Sequence, residues 1–93
     1  MATGTLTADG STKPFITKGS GTHLALDGSF GGGTVAVQKH TVSGWVSLYN
    51  EGTAETFAAD DDVLYNTGQG LKLRLTLSGA TSPSLDWMLE SRG

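Results

Sequence analysis

Hydrophobic and polar residues alternate most regularly between Leu71 and Ser78. Leu71, Leu73, Leu75 and Leu77 fall on one side, and Lys72, Arg74, Thr76 and Ser78 on the other. A period of two predicts a half-buried strand with four leucines turned to a core. Leucine has no marked strand preference, so the pattern carries this reading rather than propensity. Beyond a turn at residues 79–83, Leu85, Trp87 and Leu89 resume the alternation, with Asp86 and Glu90 pointing the other way. The two segments are expected to pair as a terminal antiparallel hairpin. At roughly 1.5–3 kcal/mol per buried large apolar side chain, these seven residues supply about 10–20 kcal/mol of gross burial.

Shorter alternations recur along the rest of the chain, separated by Gly, Asp, Asn or Ser at the spacing of a sandwich or small barrel. Residues 3–7 are rich in threonine and predict an edge strand closed by an Asp9-Gly10 turn. Residues 13–17 contain Pro14, which suits a strand start or a sheet edge. After a break at residues 18–21, Leu24 and Leu26 mark a strand that Asp27-Gly28 ends, and Val35 and Val37 mark the next. Between them Gly31, Gly32 and Gly33 suit a tight corner or a close backbone approach. Ser43-Gly44 turns the chain into residues 45–49, where Val46 and Leu48 oppose Trp45 and Tyr49 in phase. A turn at residues 50–52, strands near residues 55–59 and 63–65, and a loop at residues 66–70 complete the pass. The expectation is an all-β chain of about eight strands. It forms a single antiparallel β-sandwich or jelly-roll-like domain over residues 1–93, with residues 1–12 as an arm or edge strand.

Composition adds limits. A chain of 93 residues buries roughly 60% of the surface its unfolded form exposes, so assembly matters to its stability. Cysteine is absent, which removes disulfides and thiolate metal sites as sources of that stability. A net charge of −3 and scattered basic residues argue against nucleic-acid binding. The beginning of the chain shows no secretory signal and no apolar run reaches membrane-spanning length, so synthesis in the cytoplasm and no membrane partner are expected.

Catalytic patterns find no support. The triple glycine precedes Thr34 and Val35 rather than the Lys and Ser/Thr of a phosphate loop, and Leu73 stands where the third glycine of a dinucleotide fingerprint would follow Gly68-Gln69-Gly70. His23 and His40 lack the spacing of zinc ligands on a helix, and no nucleophile elbow surrounds any serine. Asp60, Asp61 and Asp62 are adjacent, whereas calcium loops alternate their ligands; a solvated cluster that protects a strand edge is expected. No enzyme activity, cofactor or metal is therefore expected. The aromatics remain as recognition candidates. Trp87 shares the phase of Leu85 and Leu89 and reads as core, Trp45 reads equally as core of a two-faced fold or as interface, and Tyr49 and Tyr65, with Trp45, fit an interface or a sugar-stacking platform.

Two runs resemble small virion structural proteins of tailed bacteriophages: Gly28-Ser29-Phe30-Gly31-Gly32-Gly33-Thr34-Val35-Ala36-Val37-Gln38, and Leu71-Lys72-Leu73-Arg74-Leu75-Thr76-Leu77-Ser78-Gly79-Ala80-Thr81-Ser82-Pro83-Ser84-Leu85. In such chains a Phe-Gly-Gly turn leads into a Thr-Val strand, an acidic hairpin ending in Trp follows, and an Arg-Leu-x-Leu-Ser-Gly-Ala strand and turn closes the chain. Here Thr41-Val42-Ser43-Gly44-Trp45 replaces the acidic turn and keeps the tryptophan. The resemblance implies a non-enzymatic role on the virion, foremost as a capsid decoration protein that bridges capsid subunits. A neck, tail or fibre component is the nearest alternative, and a carbohydrate-binding module is the alternative of another class. Implied partners are the major capsid protein or other virion proteins, with further copies of the chain in a homo-oligomer. Phe30, Gly31, Gly32, Gly33, Trp45 and Tyr49 are the expected interface residues, and the N-terminal segment is expected to order on assembly.

Overall fold

The leucine strand is the centre of one wall of a sandwich. In the computed structural model, which describes residues 2–19, 21–50, 52–66 and 69–92, the chain is all-β, with two antiparallel sheets facing each other. The strands are β1 (Ala2–Leu6), β2 (Gly10–Ser11), β3 (Phe15–Ile16), β4 (Gly21–Ser29), β5 (Thr34–Thr41) and β6 (Gly44–Ser47), followed by β7 (Tyr49–Asn50), β8 (Thr53–Ala54), β9 (Thr56–Phe57), β10 (Asp61–Tyr65), β11 (Lys72–Ser78) and β12 (Ser84–Arg92). There are more strands than expected because several are two-residue pairings at the sheet margins. The expected breaks through Ser20 and Glu51 and the loop through Thr67 and Gly68 lie in part outside the described residues.

One sheet runs β1-β12-β4-β10. The other runs β2-β11-β5-β6, with β3 also on β11 and β9 also on β5. A separate ribbon pairs β7 with β8. β4 and β12 pair along their full nine-residue lengths, from Ser29 opposite Ser84 to Gly21 opposite Arg92. The inner faces supply Leu24, Leu26, Leu85 and Leu89 from one sheet and Val35, Val37, Leu73, Leu75 and Leu77 from the other, all nearly inaccessible to water. Each contributes about 1.5–3 kcal/mol of burial.

The expected hairpin between residues 71–78 and 85–89 does not form: β11 and β12 lie in opposite sheets. Each strand carries its own set of inward leucines, Leu73, Leu75 and Leu77 on β11 and Leu85 and Leu89 on β12. Placed in facing sheets, the two sets cover each other, and each strand is paired on both flanks, β11 by β5 and by β2 and β3, and β12 by β1 and β4. The crossing turn is held from outside by Asp9, whose carboxylate accepts from the amides of Gly79 (3.1 Å) and Ala80 (2.9 Å). Asp9 therefore belongs to a link between the sheets, and the expected Asp9-Gly10 hairpin is replaced by a passage from β1 in one sheet to β2 in the other. β1 itself is an edge strand, as the threonine-rich pattern suggests. Its Gly4 lies under Trp87, where a Cβ would come within 2.9 Å of the indole Nε1.

Candidate functional site

The alternation that buries Leu73, Leu75 and Leu77 turns Lys72, Arg74 and Thr76 outward, and the register of β5 sets Gln38 beside Arg74 and Ala36 beside Thr76. On the other flank of β5, His40 stands opposite Trp45 of β6. These side chains form one connected surface. Arg74 Nε donates to Gln38 Oε1 at 2.7 Å, and Thr76 Oγ1 donates to the same oxygen at 2.9 Å. Because the Thr76 proton is committed to Gln38, the 2.8 Å contact between Ser11 Oγ and Thr76 Oγ1 has Ser11 as donor. The Arg74 guanidinium lies over the Trp45 indole at 4.4 Å from the ring centroid, within cation–π range. His40 meets the same ring edge-on, with centroids 5.2 Å apart.

The lattice fixes a positive charge with neutral partners. Among the described residues no carboxylate forms an ion pair with Arg74. The outward positions of β5, β6, β9 and β11 hold Lys72 and Arg74 and no acid. The opposite outer surface is acidic: Asp27 on β4, Asp62 on β10, and Asp86 and Glu90 on β12 point away from the core. There Asp27 is held above its ordinary value, chiefly by a hydrogen bond shared with Asp60 and by repulsion from Asp60, then by lost hydration and repulsion from Asp86. Asp60 also accepts from the Gly28 amide at 3.1 Å. His23 lies 4.0 Å from Asp62. Among the described residues no three His, Asp or Glu side chains converge as a metal site.

The six expected interface residues separate into three groups. Trp45 joins the lattice on the outer face. Phe30, expected at the interface, is a core residue only 7% exposed, because the turn that follows it swings its ring between the sheets. Gly31, Gly32 and Gly33 form that turn: the Gly33 amide donates to Phe30 O, and the Thr81 amide donates to Gly31 O, both at 2.9 Å. The corner is thus packed against the β11–β12 crossing; only Gly32 is well exposed. Tyr49 is 62% exposed but belongs to the β7–β8 ribbon. It lines a separate depression of about 300 Å³ with Lys39, Leu48, Leu64 and Tyr65. The sequence pattern sets Arg74 and Thr76 on the polar side of the leucine strand and assigns no role to them or to Gln38. The alternation places all three outward, but only strand pairing shows that they meet Trp45. Comparison with known protein families, curated proteins and solved structures gives no match to the chain.

Proposed function

We propose that the chain is a non-enzymatic structural protein of a tailed-phage virion, a capsid decoration protein. The outer face of the six-stranded sheet is the surface it lays on the capsid. The observation that carries this reading is the Arg74–Trp45 pair held in place by Gln38, Thr76 and Ser11. Tryptophan and arginine are the residue types most enriched among those that dominate binding energy at protein interfaces. Here both are ordered before a partner arrives, which reduces the side-chain entropy lost on docking. The guanidinium, which has no carboxylate partner among the described residues, suits carboxylates or carbonyl oxygens on the capsid surface. Binding only the folded form also stabilises a small cysteine-free domain, and bridging neighbouring subunits opposes the outward pressure of packaged DNA. The resemblance of the two sequence runs to small virion proteins supports the same assignment.

The test is binding of the purified chain to phage shells that lack it. We expect uptake over the whole shell, with Arg74→Ala weakening it roughly 30-fold, the equivalent of about 2 kcal/mol. Leu64→Thr, on the opposite sheet, should bind as the wild type. Failure of the wild type to bind shells, or indifference to both Arg74→Ala and Trp45→Ala, overturns the proposal. Uptake confined to a neck or tail ring would reassign the chain to that post.

A further inference from the structure

Sheet edges expose unpaired backbone groups, and proteins shield them with charge, proline, bulges or brevity. Three margins of this sandwich are shielded in these ways. β10 carries Asp61 and Asp62 directly after Asp60. β2 and β3 are two residues each and are separated by the interruption at Thr12, Lys13 and Pro14. On the far side, β6 has four residues and β9 two. β1 has no such protection: Ala2-Thr3-Gly4-Thr5-Leu6 holds five residues in regular pairing with β12, with no charge and no proline. No other described strand pairs with its outer edge.

We propose that β1 is a self-pairing edge, and that two copies of the chain join there antiparallel about a twofold axis through Gly4. The sequence of the strand is symmetric around this glycine, with a threonine on each side. A register centred on Gly4 sets Thr3 opposite the second copy's Thr5, and Ala2 opposite the second copy's Leu6. Extending the observed β1–β12 register through the joint gives continuous rows across four strands. On the inner side, Leu89 and Ala2 continue into the second copy's Leu6 and Leu85. The central row is Trp87, Gly4, then the second copy's Gly4 and Trp87. Both indoles therefore rest on glycine, and no side chain at the joint competes with them. On the outer side, Asp86 and Thr5 continue into the second copy's Thr3 and Met88, so no row opposes two acids. The two Asp86 side chains are separated by at least three strand spacings, about 14 Å, beyond the Debye length of about 8 Å at physiological salt. Threonine pairs across antiparallel strands are favourable.

A groove of about 620 Å³ beside β1 adds a reason for a second copy rather than a stray strand. It is lined by Ala2, Leu6, Pro14 and Trp87, among others. The inner residues of the incoming β1, again Ala2 and Leu6, extend this apolar strip across the seam. A twofold joint of this kind is closed, so it ends at two copies and does not propagate along the edge. The inference concerns the four-stranded sheet and does not depend on what the other sheet contacts.

Absence of cysteine makes disulfide trapping clean. Thr3→Cys and Thr5→Cys chains are prepared separately and oxidised alone and as a mixture. The Gly4-centred register predicts cross-linked pairs from the mixture and little from either variant alone, because like positions sit diagonally across the joint rather than opposite. Sedimentation equilibrium of the wild type should give twice the monomer mass, and Thr3→Lys should return it to monomer with unchanged circular dichroism. Val42→Lys, at a fully exposed turn position, should remain dimeric. A monomeric wild type, or equal cross-linking by the single variants and the mixture, overturns the proposal.

Discussion

Gly31 and Gly32 have the same backbone requirement but different surroundings. Both occupy positive φ, +61° and +78°, a region where a side chain costs roughly 1–2 kcal/mol. At Gly32 an added Cβ would meet open space, whereas at Gly31 it would collide with the Thr81 carbonyl oxygen. Gly32→Ala should therefore lower unfolding stability by about 1–2 kcal/mol, the backbone term alone. Gly31→Ala should lower it by roughly 3 kcal/mol or more, because the β11–β12 crossing must move. Urea denaturation of the two variants measures the difference. Equal losses would mean that the crossing yields freely and that the corner is not held against it. This contrast also explains the misplacement of Phe30 at the interface: a glycine run announces a close approach, but it does not say whether the neighbour is a partner or the chain itself.

At the scale of the element, the edge of β11 shows how a proline is admitted without leaving a buried amide unpaired. β2 pairs with Thr76 and Leu77, and β3 with Lys72 and Leu73, so three residues, Thr12, Lys13 and Pro14, face the two between. Proline supplies no N–H and forces the bulge outward. The buried Thr12 fills the gap: its amide donates to Leu75 O at 2.9 Å, and its hydroxyl accepts from the Leu75 amide at 3.0 Å. Thr17 repeats the device with Leu71, at 2.9 Å for both bonds. Thr12→Val keeps the shape and removes the acceptor, so it should lower stability by about 1–3 kcal/mol. Ser11→Val beside it, whose hydroxyl is exposed, should have a much smaller effect. Parallel thermal or urea unfolding of the two variants decides this, and equal effects would sink the assigned role. The same strand shows what the sequence made legible. Its alternation revealed which residues are buried and which face out, since period alone decides that. It did not reveal that β12 belongs to the facing sheet, nor that Arg74 stands over Trp45. Both depend on which strands become neighbours, and the side-chain period carries no record of neighbours.

Over the whole molecule, charge is divided between the two outer faces, and the acidic one is under strain that pH can release. The folded chain holds the Asp27 proton more tightly than the unfolded chain, whose ordinary value is 3.8. Below that value Asp27 is protonated in both states and its neighbours exert no penalty. As pH rises from there through the raised folded value, the unfolded chain loses the proton first, so stability falls and then levels off. Asp27→Asn removes this loss. Its stability should match the wild type in acid and exceed it increasingly toward neutral pH, and a constant offset between the two curves would contradict the mechanism. Tyr65 acts at the other end of the scale. Its hydroxyl is buried without a partner at hydrogen-bonding geometry among the described residues, and burial, reinforced by the nearby Glu55 carboxylate, raises it above its ordinary value of 10.0. Above that pH the unfolded chain ionises while the folded chain resists, so stability falls again. Tyr65→Phe should remove the alkaline loss and leave the acid limb unchanged. Urea midpoints across the full pH range, with both variants, separate the two effects because the groups lie on different limbs. An Asp27→Asn chain that also kept its stability above pH 10 would show that the two losses share a single global cause, the self-repulsion of an acidic domain, instead of two local ones.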